Sequence, residues 1–152
     1  MKKLVMILLL LFLSGCAKNP VKVYTDPEIS EFEKVFMEAG SKAKKYDLRH
    51  LEDCRKGRIP GFYCARVLKG NGEEKTLEDI SEDLALIVKN KRTPIILIDY
   101  DGGDAEELSG MLREKGFVNI HFFRSGYGRY AELKGDDFVP DTGECESCEA
   151  ES

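Results

Sequence analysis

Asp99, Asp101 and Asp104 crowd the segment Asp99-Tyr100-Asp101-Gly102-Gly103-Asp104, directly after the apolar run Ile95-Ile96-Leu97-Ile98. Carboxylates this close can share work as nucleophile and general acid/base, or hold a divalent cation through oxygen ligands. The apolar run does not alternate, as befits a strand covered on both faces, and Ala105, Leu108, Met111 and Leu112 then repeat at helical spacing up to Gly116. A loop leading from such a strand into such a helix presents backbone N–H groups that make an anion cradle. The other chemistry lies in sulfur: Cys16, Cys54, Cys64 and the pair in Cys145-Glu146-Ser147-Cys148. A C-x-x-C pair can exchange disulfides or accept sulfur, yet Glu144, Glu146 and Glu149 disfavour its thiolate, and two cysteines make only half of a zinc site. His50 and His121 have no partner spacing and read as surface or strand residues.

The elements around the acidic segment follow from periodicity and punctuation. Thr25 or Asp26 caps a helix with Pro27 at its first position and Ile29, Phe32, Val35 and Phe36 on one face, ending near Gly40. Tyr46 to Arg49 reads as a short strand, Leu51 to Cys54 as a helical turn, and Phe62 to Leu68 as a strand reached through Gly57 to Gly61. Thr76 with Asp79 forms a capping box before Leu77, Ile80, Leu84, Ile87 and Val88. Phe117 to Phe123 is a further strand and Gly126 to Leu133 a closing helix, with Tyr127 and Tyr130 expected at the loop rim. Strands alternating with helices predict an α/β fold with one parallel sheet, whose ligands bind beyond the carboxyl ends of the strands, where Asp99 to Asp104 lies.

The amino terminus sets the compartment. Lys2 and Lys3 precede an apolar run from Leu4 to Leu13, too short to span a bilayer, followed by Ser14-Gly15-Cys16. This resembles the bacterial lipobox: a signal removed before Cys16, which would carry acyl chains, palmitate among them, and anchor the chain in the cell envelope. Ala17 after the cysteine resembles an outer-membrane address facing the periplasm in a host with two membranes. Loss of Lys2 and Lys3 shifts the formal net charge from −5 to −7. An acidic chain whose basic cluster is limited to Lys42, Lys44 and Lys45 is not a nucleic-acid binder. The four cysteines left after Cys16 permit three pairings in an oxidising envelope, and proximity favours Cys54 with Cys64 and Cys145 with Cys148. Cys54 could equally be a small core residue.

Two separated segments resemble the rhodanese family, single-domain sulfurtransferases that carry sulfane sulfur on a cysteine persulfide. Asp47-Leu48-Arg49 followed by Gly57-Arg58-Ile59-Pro60-Gly61 is similar to the family's Asp-Val-Arg and Gly-His-Ile-Pro-Gly, with Arg58 in place of the histidine. Pro94 through Gly116-Phe117, Asn119-Ile120 and Ser125-Gly126-Tyr127 resembles its active-site strand, loop, helix and closing segment. The resemblance implies a three-layer domain with a central, mostly parallel five-stranded sheet flanked by helices. It divides the chain into a signal peptide (1–15), a lipidated tether (16–22), a rhodanese-like domain (23–134) and an acidic flexible tail (135–152) bearing the C-x-x-C pair.

Against that pattern the catalytic cysteine's place is taken by Asp99, and Tyr100 and Asp104 stand where thiosulfate-using members carry basic residues. Oxygen cannot store sulfane sulfur, and each added negative charge at about 4 Å opposes an anionic donor by about 4 kcal/mol at an effective dielectric of ~20. The expectation is a domain without the usual sulfurtransferase activity, needing no cofactor or metal, whose partners are the membrane and an envelope protein or a cationic ligand. The Asp99 carboxylate is expected to fill the cradle from within, and Arg124 and Arg129 to quieten the loop aspartates. One alternative is sulfur transfer or thiol redox chemistry through Cys145 and Cys148. Another follows from the resemblance of Asp99-Tyr100-Asp101-Gly102 to the opening motif of haloacid-dehalogenase-type phosphatases, with Asp99 as nucleophile, Asp101 as acid/base and magnesium as cofactor.

Overall fold

The computed structural model describes residues 18–144; the signal, Cys16, Cys145 and Cys148 lie outside them. Five strands, β1 (Val21–Tyr24), β2 (Lys44–Asp47), β3 (Tyr63–Cys64), β4 (Ile95–Ile98) and β5 (Ile120–Phe123), form one sheet in the order β1-β5-β4-β2-β3. Every pairing is parallel. The helices between them are α1 (Ile29–Glu38), α2 (Leu51–Lys56), α3 (Leu77–Ile87), α4 (Gly103–Glu114) and α5 (Gly126–Lys134).

All of β4 is shut off from solvent, as its unbroken apolar run requires. Because side chains alternate across a strand, Ile95 and Leu97 pack with Leu84 of α3 and Leu108 and Leu112 of α4, while Ile96 and Ile98 meet Phe32 and Phe36 of α1 and Tyr130 of α5. The sheet is thus the middle of three layers. Thr76 and Asp79 close the expected capping box on α3, Thr76 Oγ1 accepting from the Asp79 N–H at 3.2 Å and Asp79 Oδ2 from the Thr76 N–H at 2.8 Å. At the 3-10 turn Asp26–Glu28 that leads into α1, Glu28 Oε2 accepts both the Thr25 N–H at 2.9 Å and the Thr25 hydroxyl at 2.8 Å.

Several expectations are corrected. The tether does not extend to residue 22, since Val21 already pairs with Ile120 and opens β1 at the sheet edge. The second strand begins at Lys44, whose partner is Ile95, and ends at Asp47. The strand expected over Phe62 to Leu68 shrinks to Tyr63–Cys64, because the Arg66 guanidinium holds the carbonyls of Leu48 and Lys75 and leads the chain away from the sheet. The last strand starts at Ile120.

The acidic tail does not begin at residue 135. Arg58 and Asp141 exchange two backbone hydrogen bonds of 3.0 Å, and Phe138 packs edge-on against Tyr127 and Tyr130. Gly143 donates to the Arg55 carbonyl, and the Arg58 guanidinium reaches the Gly143 carbonyl at 2.9 Å. Residues 138–144 therefore strap the turn that carries Gly57 to Gly61. Among the described residues no helix is long and apolar enough to cross a membrane.

Candidate functional site

The loop from Asp99 to Gly102 lies beyond the carboxyl end of β4, and α4 begins at Gly103. Asp99 is 1% exposed. Its Oδ1 accepts the Gly102 N–H at 2.6 Å and its Oδ2 accepts the Ala105 N–H at 2.9 Å. The side chain has turned back into the loop and occupies the cradle that its own backbone makes. Burial pushes the Asp99 carboxyl above the usual carboxylate range; the N–H groups of Ala105 and Gly102 oppose that shift, and Asp104 and Asp101 add to it. The Asp99 carbonyl accepts the Tyr127 N–H at 2.7 Å, which ties the loop to the start of α5.

The remaining loop residues are engaged in different ways. Asp101 Oδ1 accepts the Gly103 N–H at 3.0 Å and otherwise faces solvent. Asp104 pairs with Arg66 at 2.7 Å. Tyr100 reaches across to α2, where its hydroxyl donates to Asp53 Oδ2 and accepts the His50 N–H. This bond holds the Asp53 carboxyl below its ordinary range, while burial raises the Tyr100 phenol. Arg124 and Arg129 do not quieten the loop as expected: Arg129 pairs with Asp26 and Glu132, and Arg66, from the far side of β3, supplies the cation instead. Nothing in the spacing of Arg66 marks it for this role.

Beside the loop lie the residues of the first motif. Asp47 is fully buried and receives the Arg49 guanidinium through Nε and a 2.6 Å bond from the terminal nitrogen, which also donates to the Gly57 carbonyl at 2.6 Å. The guanidinium lies 3.6 Å from the centre of the Tyr127 ring. Gly57 admits no side chain, since a Cβ there would stand 3.0 Å from the Tyr127 hydroxyl and 3.3 Å from Pro140. Ile59 is in the core, and Pro60 and Gly61 form the exposed turn under the strap. Tyr127 lies at the loop as expected, whereas Tyr130 is a core residue whose hydroxyl donates to Glu33. His50 bonds Glu74, and His121 bonds Tyr24 and Asn119.

Cys54 and Cys64 form a disulfide that closes ten residues between α2 and β3, packed beneath Leu51 and Val67. Closing a loop of that length restricts the unfolded chain by about 3 kcal/mol. Replacing both cysteines by alanine should lower stability by roughly that amount, read as an earlier urea midpoint, and a midpoint indifferent to reductant in the parent would show that the bridge does not form.

The profile of the family described as Rhodanese-like domain matches residues 31–133. The crystal structure of the Alr3790 protein of Anabaena sp. is similar with a TM-score of 0.59 at 12% identity, covering 82% of this chain and 98% of that one. The solution structure of the rhodanese-like domain of the same Anabaena protein gives 0.56 at 16%, covering 84% and 82%. A rhodanese-like domain protein of Staphylococcus aureus gives 0.56 at 15%, covering 81% and 99%. No curated protein sequence matches significantly. The chain belongs to the rhodanese-like domain family. The haloacid-dehalogenase reading is thereby corrected. A nucleophilic Asp99 would need a free, accessible oxygen, and both of its oxygens are buried against backbone donors.

Proposed function

We propose that this is a rhodanese-like domain held at the cell envelope by lipid on Cys16, without persulfide chemistry at its loop, and working as a binding or accessory module. The observation that carries this reading is the Asp99 carboxyl lodged in its own cradle, with Gly102 and Ala105 as donors. The resemblance to sulfurtransferases implies that these donors would face the persulfide sulfur in an active member. Here an oxygen that cannot take up sulfane sulfur spends them. Both described cysteines are tied to each other in the core, so neither can substitute.

A thiosulfate:cyanide assay of the parent should give no thiocyanate above the blank. Asp99→Cys places a thiol among the same donors and should become persulfidated by a sulfane donor, detected by mass spectrometry. Thiocyanate formation by the parent would overturn the reading.

A second reading, sulfur transfer or thiol exchange by Cys145 and Cys148, is favoured by the strap, because Glu144, the residue just before the pair, is docked on Arg55 of α2 at 2.7 Å. Activity that survives Asp99→Asn and disappears in Cys145→Ser/Cys148→Ser would establish it. The anchoring rests on the basic and apolar start of the chain, and the Cys54–Cys64 bridge suits an oxidising envelope. Labelled palmitate should enter the parent and not Cys16→Ser; equal labelling of both would remove the anchor.

A further inference from the structure

Of the carboxyls beside the loop, Asp99 is enclosed and Asp104 is paired, but the cleft between α3 and α4 sets three acids against a single lysine. Glu78, Ser81, Glu82, Met111, Glu114 and Lys115 line a cavity of about 330 Å³ there. Among the described residues Glu78, Glu82 and Glu114 form no ion pair, and Lys115 is the one cation set against them in the lining. Ser81 is 1% exposed and its Oγ has no hydrogen-bond partner among the described residues. Ser109, facing the same core from α4, shows the ordinary alternative, with its Oγ donating to the Ala105 carbonyl one turn back at 2.6 Å. A buried hydroxyl left unspent lowers stability unless something else supplies a donor or acceptor.

Glu78, Glu82 and Leu86 follow at four-residue steps and share one face of α3. Leu86, one turn beyond Glu82 on that face, is 67% exposed, and Met111 is the apolar member of the lining itself. Among the described residues no cluster of three or more His, Cys, Asp or Glu side chains is arranged to hold a metal ion. The excess negative charge also repels anionic lipid. We propose that this cleft docks the basic side chain of a partner polypeptide, whose ammonium or guanidinium donates to the Ser81 hydroxyl and the surrounding carboxylates while an apolar neighbour rests on Leu86 and Met111. The proposal rests on the binding-module reading and names the partner's chemistry.

The test is nuclear magnetic resonance of the isotope-labelled full chain in nonionic detergent, titrated with acetyl-Lys-Leu-amide. Saturable shifts are expected at the amides of Ser81, Glu82, Met111 and Lys115, and none with the norleucine counterpart of the probe. Glu82→Gln/Glu114→Gln should weaken binding about tenfold. Ser81→Ala should weaken it about threefold while leaving the unfolding midpoint unchanged or higher, which a merely structural hydroxyl would not do. Absence of saturable shifts, equal shifts with the norleucine probe, or the same shifts from calcium or spermidine at lower concentration would overturn the docking proposal. Thiosulfate:cyanide activity measured on the same sample bears on the non-catalytic reading alone, so the two failures are distinguishable.

Discussion

Arg49→Ala should cost about 3–5 kcal/mol of stability, because it strips a fully buried carboxylate of its partner. Asp47 has no exposed surface, and apart from the Arg49 backbone N–H at 3.0 Å its oxygens are served by the Arg49 side chain. Truncation leaves that charge desolvated and also orphans the Gly57 carbonyl, which takes the same guanidinium at 2.6 Å. Since domains of this size are stable by only about 5–15 kcal/mol, the loss is a large part of the whole. Arg49→Lys should recover little, because an ammonium cannot reach both carboxylate oxygens and the Gly57 carbonyl in one plane while lying flat on Tyr127. Asp47→Asn/Arg49→Met should recover much of the loss, since removing both charges removes the desolvation problem. Urea unfolding measures this as a shift in midpoint at constant slope. A loss below about 1 kcal/mol for Arg49→Ala would mean that water reaches Asp47 and the pair is not what holds the Gly57 turn.

The parts of this fold that were legible in the sequence are those whose burial is written locally. The run from Ile95 to Ile98 could only be a strand with cover on both faces, and it is completely buried. Thr76 and Asp79 announced the start of α3 through side chains that each accept the other's backbone N–H. The first strand was not legible, because Val21–Tyr24 contains a lysine, lies at an edge and owes its structure to pairing with residues about a hundred positions away. Lys44 and Lys45 hid the start of β2 for the same reason, their neighbours in the sheet being Ile95 and Ile96. The strap was hidden by composition: a segment rich in acid and glycine is anchored by Phe138, the Arg58–Asp141 bridge and contacts to Gly57. At the site, sequence located the acidic loop and the inward turn of Asp99, but it could not show that Arg66, 38 residues before Asp104, would neutralise it.

Gly126→Ala should cost about 3–5 kcal/mol, as much as the loss of the buried ion pair, though for a steric reason. Gly126 has φ of +76°, and a Cβ would lie 2.1 Å from the Tyr100 carbonyl oxygen and 2.7 Å from the Asp101 nitrogen. The clash is with backbone, so no rotamer relieves it, and overpacking of about 1–3 kcal/mol adds to backbone strain of about 1–3 kcal/mol. The approach is reciprocal: a Cβ on Gly102, at φ +89°, would stand 2.3 Å from the Arg124 carbonyl oxygen. The turn after β5 and the loop after β4 are thus interlocked, and the Tyr127 N–H to Asp99 carbonyl bond of 2.7 Å runs through the same contact. Gly40→Ala is the control, since φ there is +65° with nothing within 4 Å, and it should cost only the strain of about 1 kcal/mol. Thermal unfolding of both variants separates the effects, and equal losses at the two positions would show that the loops are not in contact. In Gly126→Ala the Gly102 and Ala105 amides should also exchange with deuterium faster, because displacing residues 100–101 draws Asp99 out of its cradle.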